Sequence, residues 1–217
     1  MHMEFEALLF NKIWTLCLRP SHQHVIHNKW VYKIKRKSDG AVDRFKARLV
    51  AKGFEQTFGI DYTDTFSPAI KPSTIRAILA LAVYFNWMIK QLDISNAFLH
   101  GSLLEEVYME QPKGFVDKNH PNSICRLQKA IYGLKQALKA WFKRLSTYLL
   151  DIGFTASLVD TSLFIFIFGS VHIFMLIYMD DIIMTGTHLD IINKLVQTMQ
   201  QEFPLKDLGP LSFFLGI

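Results

Sequence analysis

Cysteine is scarce in this sequence, which has two such residues, Cys17 and Cys125, in a chain of 217. A chain of this length buries enough apolar surface to fold without disulfides, so the scarcity favours a reducing compartment. The first thirty residues also lack the uninterrupted apolar segment that a secretory signal needs. We therefore expect an intracellular protein with one sizeable domain or two small lobes.

Three common catalytic motifs are absent as well. The sequence contains no GxxxxGK[ST], GxGxxG or HExxH segment, so kinase-like, dinucleotide-dependent and zincin chemistries have no support. The segment CLRPSHQHVIH holds four candidate metal ligands, but their spacing matches no common zinc pattern, and a polar loop is the better interpretation. These candidates are Cys17, His22, His24 and His27.

One long apolar segment, Leu163 to Met179, approaches the length of about 20 residues that a membrane-spanning helix needs. Gly169-Ser170 at its centre is a typical hairpin turn, His172 follows, and the segment is rich in Phe and Ile, which favour strands. We therefore predict two strands joined by a tight turn and no membrane partner. A spanning helix is the alternative.

Acidic residues are few in residues 29–52, which hold nine Lys and Arg but two Asp. This segment accounts for the basic character of the chain, whose formal net charge is +5. Its alternating pattern on both sides of an SDG turn predicts a β-hairpin. The even-numbered basic side chains should share one strand face, and they are Arg44, Lys46, Arg48 and Lys52. Such a face fits a polyanionic ligand, and an ordinary solvated face is the alternative.

Three helices are predicted from the period of the apolar residues. The first begins at Pro72, the second lies between Gly133 and Gly153, and the third follows Thr187 and Asp190, which have capping-box spacing. The order of strands and helices predicts an α+β fold with an antiparallel or mixed sheet and helices on one face, ferredoxin-like in character.

Two adjacent carboxylates, Asp180 and Asp181, interrupt the apolar segment IFMLIYMDDIIMTG, and Asp93 interrupts a second apolar segment. Burying unpaired carboxylates is costly, so these residues need a partner or a turn that exposes them. A tight turn at Tyr178 to Asp181, with Asp93 on a neighbouring strand, would bring the three together. Such oxygen ligands suit Mg²⁺ or Mn²⁺, and two such ions can serve an in-line displacement at phosphorus. An ordinary turn, which Asp favours, is the alternative.

Four ordered segments, QLDISNAFLHGSLLEEVYMEQPKGF, AIYGLKQALKAW, LIYMDDIIMTG and KDLGPLSFFLGI, resemble the reverse transcriptase domain of copia-type LTR retrotransposons, and KWVYKIKRKSDGAVDRFKARLVAKGFEQTFGIDYTDTFSP does so before them. The similarity runs from about Glu4 to the last residue. It implies an RNA-directed DNA polymerase, a nucleotidyltransferase, with the fingers and palm of a right-hand polymerase fold. The fingers would lie mainly in residues 1–87 and 104–135, and the palm in residues 88–103 and 136–217.

The resemblance implies a role for each carboxylate of the YMDD and LD segments. Asp93 and Asp180 would hold two Mg²⁺ ions, with Mn²⁺ as a substitute, and Asp181 would complete the triad more peripherally. One ion would activate the primer 3′-hydroxyl, and the other would hold the triphosphate of the incoming dNTP. Phe98 would be the steric gate that excludes a ribose 2′-hydroxyl, with an ordinary core Phe as the alternative.

The resemblance also implies contacts with nucleotide and nucleic acid. Arg48 and Lys52 would reach the triphosphate, while Gln136, Tyr178 and Met179 would contribute to the nucleotide pocket. Four lysines would meet backbone phosphates without reading sequence, and they are Lys46, Lys135, Lys139 and Lys143.

No thumb or RNase H segment is recognised, so we expect a domain excised from a polyprotein or a degraded copy, with Gly209 to Gly216 resembling the start of the primer grip. The family more often has Pro and Arg where this chain has Leu138 and Lys139, and loss of the Arg fork would loosen contact with template or nucleotide. Expected partners are dNTP and an RNA or DNA template with primer, in a cytoplasmic retroelement particle. An inactive relic that still binds nucleic acid is the alternative.

Overall fold

The computed structural model describes residues 1–37, 39–212 and 214. Its helices are α1 (His2–Phe10), α2 (Pro72–Tyr84), α3 (Ala137–Asp151) and α4 (Leu189–Glu202). Its strands are β1 (Trp14–Cys17), β2 (Val25–Ile26), β3 (Asn28–Arg36), β4 (Val42–Ala51), β5 (Ile89–Ile94), β6 (Ser102–Met109), β7 (Ile124–Lys129), β8 (Thr155–Ala156), β9 (Leu163–Phe168), β10 (Val171–Tyr178), β11 (Asp181–Gly186) and β12 (Leu205–Pro210).

The chain folds into two compact units, each built from two separate stretches. The first comprises Met1–Phe66 and Phe98–Arg144, and the second comprises Ser67–Ala97 and Leu145–Ile217. These boundaries differ from the expected limits of fingers and palm, because α2 belongs to the same unit as β5. The assignment of the names fingers and palm stays a prediction.

The first unit contains a four-stranded sheet in the order β1-β7-β6-β2 and the separate hairpin β3-β4. β2 runs parallel to β6 and the other pairs are antiparallel. The core of this unit includes Leu8 of α1, Ile26, Leu49 and Met109, all fully buried. The sheet, α1 and the base of the hairpin therefore share one hydrophobic core.

The predicted β-hairpin is confirmed, although Ser38 of its turn lies outside the described residues. The face that carries Arg44, Lys46 and Arg48 also carries their register partners Lys35, Lys33 and Val31. Like charges directly opposite one another destabilise a strand pair. Lys52 departs from the prediction, since β4 ends at Ala51 and Lys52 precedes a 3₁₀ turn.

The second unit is built on a six-stranded sheet in the order β12-β5-β11-β10-β9-β8, with every neighbouring pair antiparallel. The long apolar segment forms the hairpin β9-β10 around Gly169-Ser170, as predicted. The spanning-helix alternative is wrong for this segment. In the described part of the chain, no helix has the length and apolar character needed to cross a membrane.

The centre of this sheet is buried on both faces. Ile182 and Ile183 of β11 point to opposite sides, and both have no exposed surface. Ile75 and Ile78 of α2 belong to the same hydrophobic cluster as Ile183. The fold is thus a mixed α/β architecture, and the predicted placement of helices on one face of the sheet stays a prediction.

Local signals at the helix ends were less informative than the apolar period. α4 begins after His188, which makes no side-chain cap, and Thr187 donates a hydrogen bond to Ser170 O instead of forming the predicted capping box. α3 begins at Ala137 and ends at Asp151, within the predicted limits of Gly133 and Gly153. A tertiary contact thus replaces the predicted cap of α4, because Ser170 is 17 residues away from Thr187 in the sequence.

Candidate active site

The three predicted carboxylates meet in the second unit. Tyr178 and Asp181 are register partners in the β10-β11 hairpin, so Met179 and Asp180 form its two-residue turn. Asp181 pairs directly with Asp93 on β5. The Ile94 amide donates a hydrogen bond of 2.9 Å to Asp180 O, which holds the turn against β5. The predicted tight turn beside the Asp93 strand is therefore confirmed.

Directly opposed residues on antiparallel strands present their side chains on the same face, with Cβ atoms about 5 Å apart. Asp93 pairs with Asp181 on one side and with Lys206 of β12 on the other. One row across four strands thus consists of Tyr178, Asp181, Asp93 and Lys206. Sequence patterns did not identify Lys206, because its position depends on the pairing of β12 with β5.

The carboxylate of Asp181 lies in an unfavourable electrostatic environment. All three aspartates are partly buried. Burial raises the pKa of Asp181, and the charges of Asp180 and Asp93 raise it further. Folding therefore concentrates negative charge at this end of the sheet, where a cation would relieve both the repulsion and the loss of hydration.

The donor set fits the implied Mg²⁺ in its chemistry, because it consists of carboxylate oxygens and the charges of Asp180 and Asp93, after burial, raise the pKa of Asp181. Within residues 1–37, 39–212 and 214, no group of three or more His, Cys, Asp and Glu side chains is arranged so that it could hold a metal ion. The fit therefore concerns donor type and charge, with Asp93 and Asp181 as the paired members.

Met179, the first residue of the turn between β10 and β11, adopts a left-handed backbone with φ of 57°. This conformation costs a non-glycine residue about 1–2 kcal/mol. The Met179 side chain is also largely exposed, at 40%. The two-residue turn therefore keeps an apolar side chain beside Asp180, and the nucleotide contact predicted for Met179 stays a prediction.

Two residues predicted to recognise the nucleotide lie together in the first unit. The guanidinium carbon of Arg48 is 4.7 Å from the centroid of the Tyr132 ring. The rings of Phe98 and Tyr132 are edge to face, with centroids 5.2 Å apart. The sequence pattern singled out Arg48 and Phe98 but did not identify Tyr132, although it lies in the quoted segment AIYGLKQALKAW.

Gln136, predicted to line the nucleotide pocket, lies in a buried polar network. Its side-chain oxygen accepts a hydrogen bond from Gln56, and its amide nitrogen donates one to Asp61 O. Only 2% of Gln136 is exposed. A contact with nucleotide would require these hydrogen bonds to be exchanged, so the nucleotide role of Gln136 stays a prediction.

The lysines predicted to contact phosphates differ in their surroundings. Lys135 Nζ donates to Gln56 O and to Tyr62 Oη, and Lys139 forms a 2.9 Å ion pair with Asp64. Lys143 lines a small cavity beside Lys139. These contacts tie the loop around residues 56–64 to the start of α3, so Lys135 and Lys139 have partners before any phosphate arrives.

The basic residues of the hairpin lie close to other positive charges. Burial lowers the pKa of Lys46, and the neighbouring charge of Arg48 lowers it further, while Glu4 of α1 opposes the shift. Lys52 has a carboxylate nearby, with its Nζ 3.6 Å from Glu55. The Lys46 face of the hairpin therefore concentrates positive charge, although Arg44 on that face lies 3.7 Å from Asp43.

Two further predicted features are the polar loop that contains His24 and His27 and the primer grip that begins at Gly209. His24 and His27 pair with Asp61 and Glu55, in keeping with a polar loop rather than a metal site. The predicted primer grip begins at Gly209, in β12, and its residues Phe213, Leu215 and Gly216 lie outside the described residues. Its role stays a prediction.

Comparison with known proteins connects these features to one family. A family model described as "Reverse transcriptase (RNA-dependent DNA polymerase)" matches residues 11–217. Retrovirus-related Pol polyproteins from the Arabidopsis thaliana transposons RE1 and RE2 are 47% and 48% identical over 100% of this chain. The corresponding polyprotein of transposon TNT 1-94 from Nicotiana tabacum is 38% identical over the same extent. The chain spans 15–16% of the length of these three relatives.

Proposed function

This chain belongs to the reverse transcriptase (RNA-dependent DNA polymerase) family, and from that premise we propose that it is the catalytic core with which a copia-type retrotransposon copies RNA into DNA. The observation that carries the proposal is the direct pairing of Asp93 with Asp181, beside a turn that contains Asp180. Its substrates are dNTP and a primer annealed to an RNA or DNA template. We propose as well that the enzyme acts inside the cell, in a retroelement particle.

The carboxylates of Asp93, Asp180 and Asp181 would hold Mg²⁺, or Mn²⁺ in its place, which when bound activates the primer 3′-hydroxyl and neutralises charge on the triphosphate. Asp93 and Asp180 are the principal ligands in this proposal, and Asp181 is the more peripheral one. The raised pKa of Asp181 supports the proposal, because a cation there would replace a proton that the fold otherwise favours.

The remaining predicted residues bind and orient the incoming nucleotide in this proposal. Arg48 and Lys52 bind the triphosphate, and Tyr178 and Met179 contact the nucleotide beside the carboxylates. Phe98 occupies the space that a 2′-hydroxyl would need, which selects deoxynucleotides. Gln136 contributes to the pocket through the network that it shares with Gln56.

Binding of the duplex is a separate part of the proposal. The hairpin face with Lys33, Lys35, Arg44 and Lys46 meets backbone phosphates, since opposed like charges are relieved by a polyanion. Lys135, Lys139 and Lys143 would add contacts along the start of α3. Because Lys139 already pairs with Asp64, its contribution should be the smaller one.

Primer extension on an oligo(dT)-primed poly(rA) template tests the catalytic proposal. We expect extension with Mg²⁺ or Mn²⁺ from the wild-type chain and none from Asp93→Asn or Asp180→Asn. Glu6→Gln, which removes an exposed carboxylate of α1, is the matched control and should extend normally. Extension that survives both aspartate substitutions would refute the assignment.

A second candidate function is a relic that binds nucleic acid and polymerises nothing. The hairpin face favours it, because that cationic surface does not depend on the carboxylates. A folded wild-type chain that binds the duplex with a strong salt dependence, yet extends no primer with either metal, would support this alternative.

A further inference from the structure

Tyr132 joins two residues that have separate tasks in the proposed function. Its ring lies under the guanidinium of Arg48, with the carbon 4.7 Å from the ring centroid. The same ring packs against Phe98, with the two ring planes at 85°. The cation assigned to the triphosphate and the ring assigned to the sugar therefore share one neighbour.

The backbone of Tyr132 is held firmly against the strand that carries Arg48. The Ala51 amide, at the end of β4, donates a hydrogen bond of 2.8 Å to Tyr132 O. The next residue, Gly133, has φ of 92°, and a Cβ there would lie 2.1 Å from Ala51 O. Only glycine permits this close approach, so the turn fixes the Tyr132 ring relative to β4.

The Tyr132 ring is a direct neighbour of the Arg48 guanidinium, while Glu4 interacts with Arg48 electrostatically without forming an ion pair. Arg48 Nε is buried without a hydrogen-bond partner, and no carboxylate lies within ion-pair distance of Arg48 in the described part of the chain. A guanidinium held by an aromatic face retains its terminal N–H donors for a ligand, whereas one held by a bidentate carboxylate does not.

We infer that Tyr132 is a positioning residue that also determines sugar specificity, because its ring holds Arg48 for the triphosphate and supports Phe98 at the sugar. The inference rests on the proposed function, which assigns those two tasks. Loss of the ring should therefore weaken nucleotide binding and reduce discrimination between dNTP and rNTP together. If Tyr132 only packed in the core, its loss would not change nucleotide affinity and sugar preference together.

Equilibrium binding of dGTP and GTP to the full chain tests this inference without requiring catalysis. The complex contains Mg²⁺ and a template annealed to a primer that ends in a dideoxynucleotide. Tyr132→Leu should weaken dGTP binding by roughly 3- to 10-fold and lower the preference for dGTP over GTP by about 3-fold or more. Tyr132→Phe retains the ring and should stay within about 2-fold of wild type in both quantities.

Two reference variants separate failure of this inference from failure of the proposed function. Phe98→Ala should abolish the dGTP preference, and Arg48→Ala should weaken dGTP and GTP equally. If both behave so while folded Tyr132→Leu keeps the wild-type preference, or if Tyr132→Phe loses it, the role of the Tyr132 ring is overturned and the proposed function stands. If Phe98→Ala keeps the wild-type preference, the gate assignment fails and this inference fails with it.

Discussion

Replacing Asp181 by Asn should stabilise the metal-free protein at neutral pH. Asp181 faces Asp93 directly across two strands, and its pKa is raised by burial and by the charges of Asp180 and Asp93. A carboxyl whose folded pKa is raised contributes stability that is fully present below its unfolded pKa, about 3.9, and is lost as the pH rises through the folded pKa. At about pH 7 the ionised group therefore opposes folding.

The magnitude follows from the pairing. Directly opposed like charges on neighbouring strands cost about 0.2–1 kcal/mol, so for a chain of this size their removal corresponds to a rise of roughly 0.4–4 °C in the unfolding temperature. We expect Asp181→Asn to unfold at a higher temperature than wild type in EDTA at low ionic strength. At about pH 3, where the Asp181 carboxyl with its raised pKa is protonated, the gain should largely disappear.

Thermal unfolding followed by circular dichroism measures this effect, with Glu6→Gln as an exposed carboxylate control that should change little. Addition of millimolar Mg²⁺ should then stabilise wild type more than Asp181→Asn, because the ion binds the folded state only. Two results would show that the neighbouring aspartates do not repel Asp181. In the first, Asp181→Asn unfolds at a lower temperature than wild type at neutral pH in EDTA. In the second, its unfolding temperature rises by the same amount at both pH values.

Three further predictions concern other parts of the molecule. Gly133→Ala should lower the free energy of unfolding, measured in urea, by about 3 kcal/mol or more, because it combines backbone strain with a clash. Gly114→Ala, with open space around it, should lower it by about 1 kcal/mol, and equal losses in the two variants would contradict the clash. The carboxylate of Asp160 accepts hydrogen bonds at the start of α2, which outweigh its burial and lower its pKa, so Asp160→Ala should lose about 1–2 kcal/mol above pH ~4 and progressively less below it. Lys46→Gln should reduce the salt dependence of duplex binding by about one released counterion, and Lys139→Gln should reduce it less, as titration of affinity against salt concentration would measure.

Secondary structure and the carboxylate site were predictable because their signals are local. The alternation in β3 and β4 and the Gly169-Ser170 turn depend on neighbouring residues, and both predictions are confirmed. The cost of burying Asp93 and Asp180 in apolar segments pointed to a shared site for the same reason. The predicted turn places Asp180 at the end of its hairpin, where Asp93 can approach it from a neighbouring strand.

Predictions failed or fell short where long-range partners compete with local ones. Thr187 has capping-box spacing, yet its hydroxyl donates a hydrogen bond to Ser170 O in the turn between β9 and β10. Gln136 looks like a pocket residue in its motif, yet Gln56 and Asp61 O occupy both ends of its amide. Neither competitor can be read from the residues next to it in the chain.

The amino-acid sequence by itself determined which side chains could do chemistry here: carboxylates in apolar strands, a cationic hairpin and an aromatic residue five positions after Asp93. Only the tertiary structure decided which of them are neighbours, because strand register and chain crossing set distances that residue spacing does not contain. The pairing of Lys206 with Asp93 depends on β12 joining β5 from more than a hundred residues away. The packing of Tyr132 on both Arg48 and Phe98 likewise required three separate segments to meet in one core.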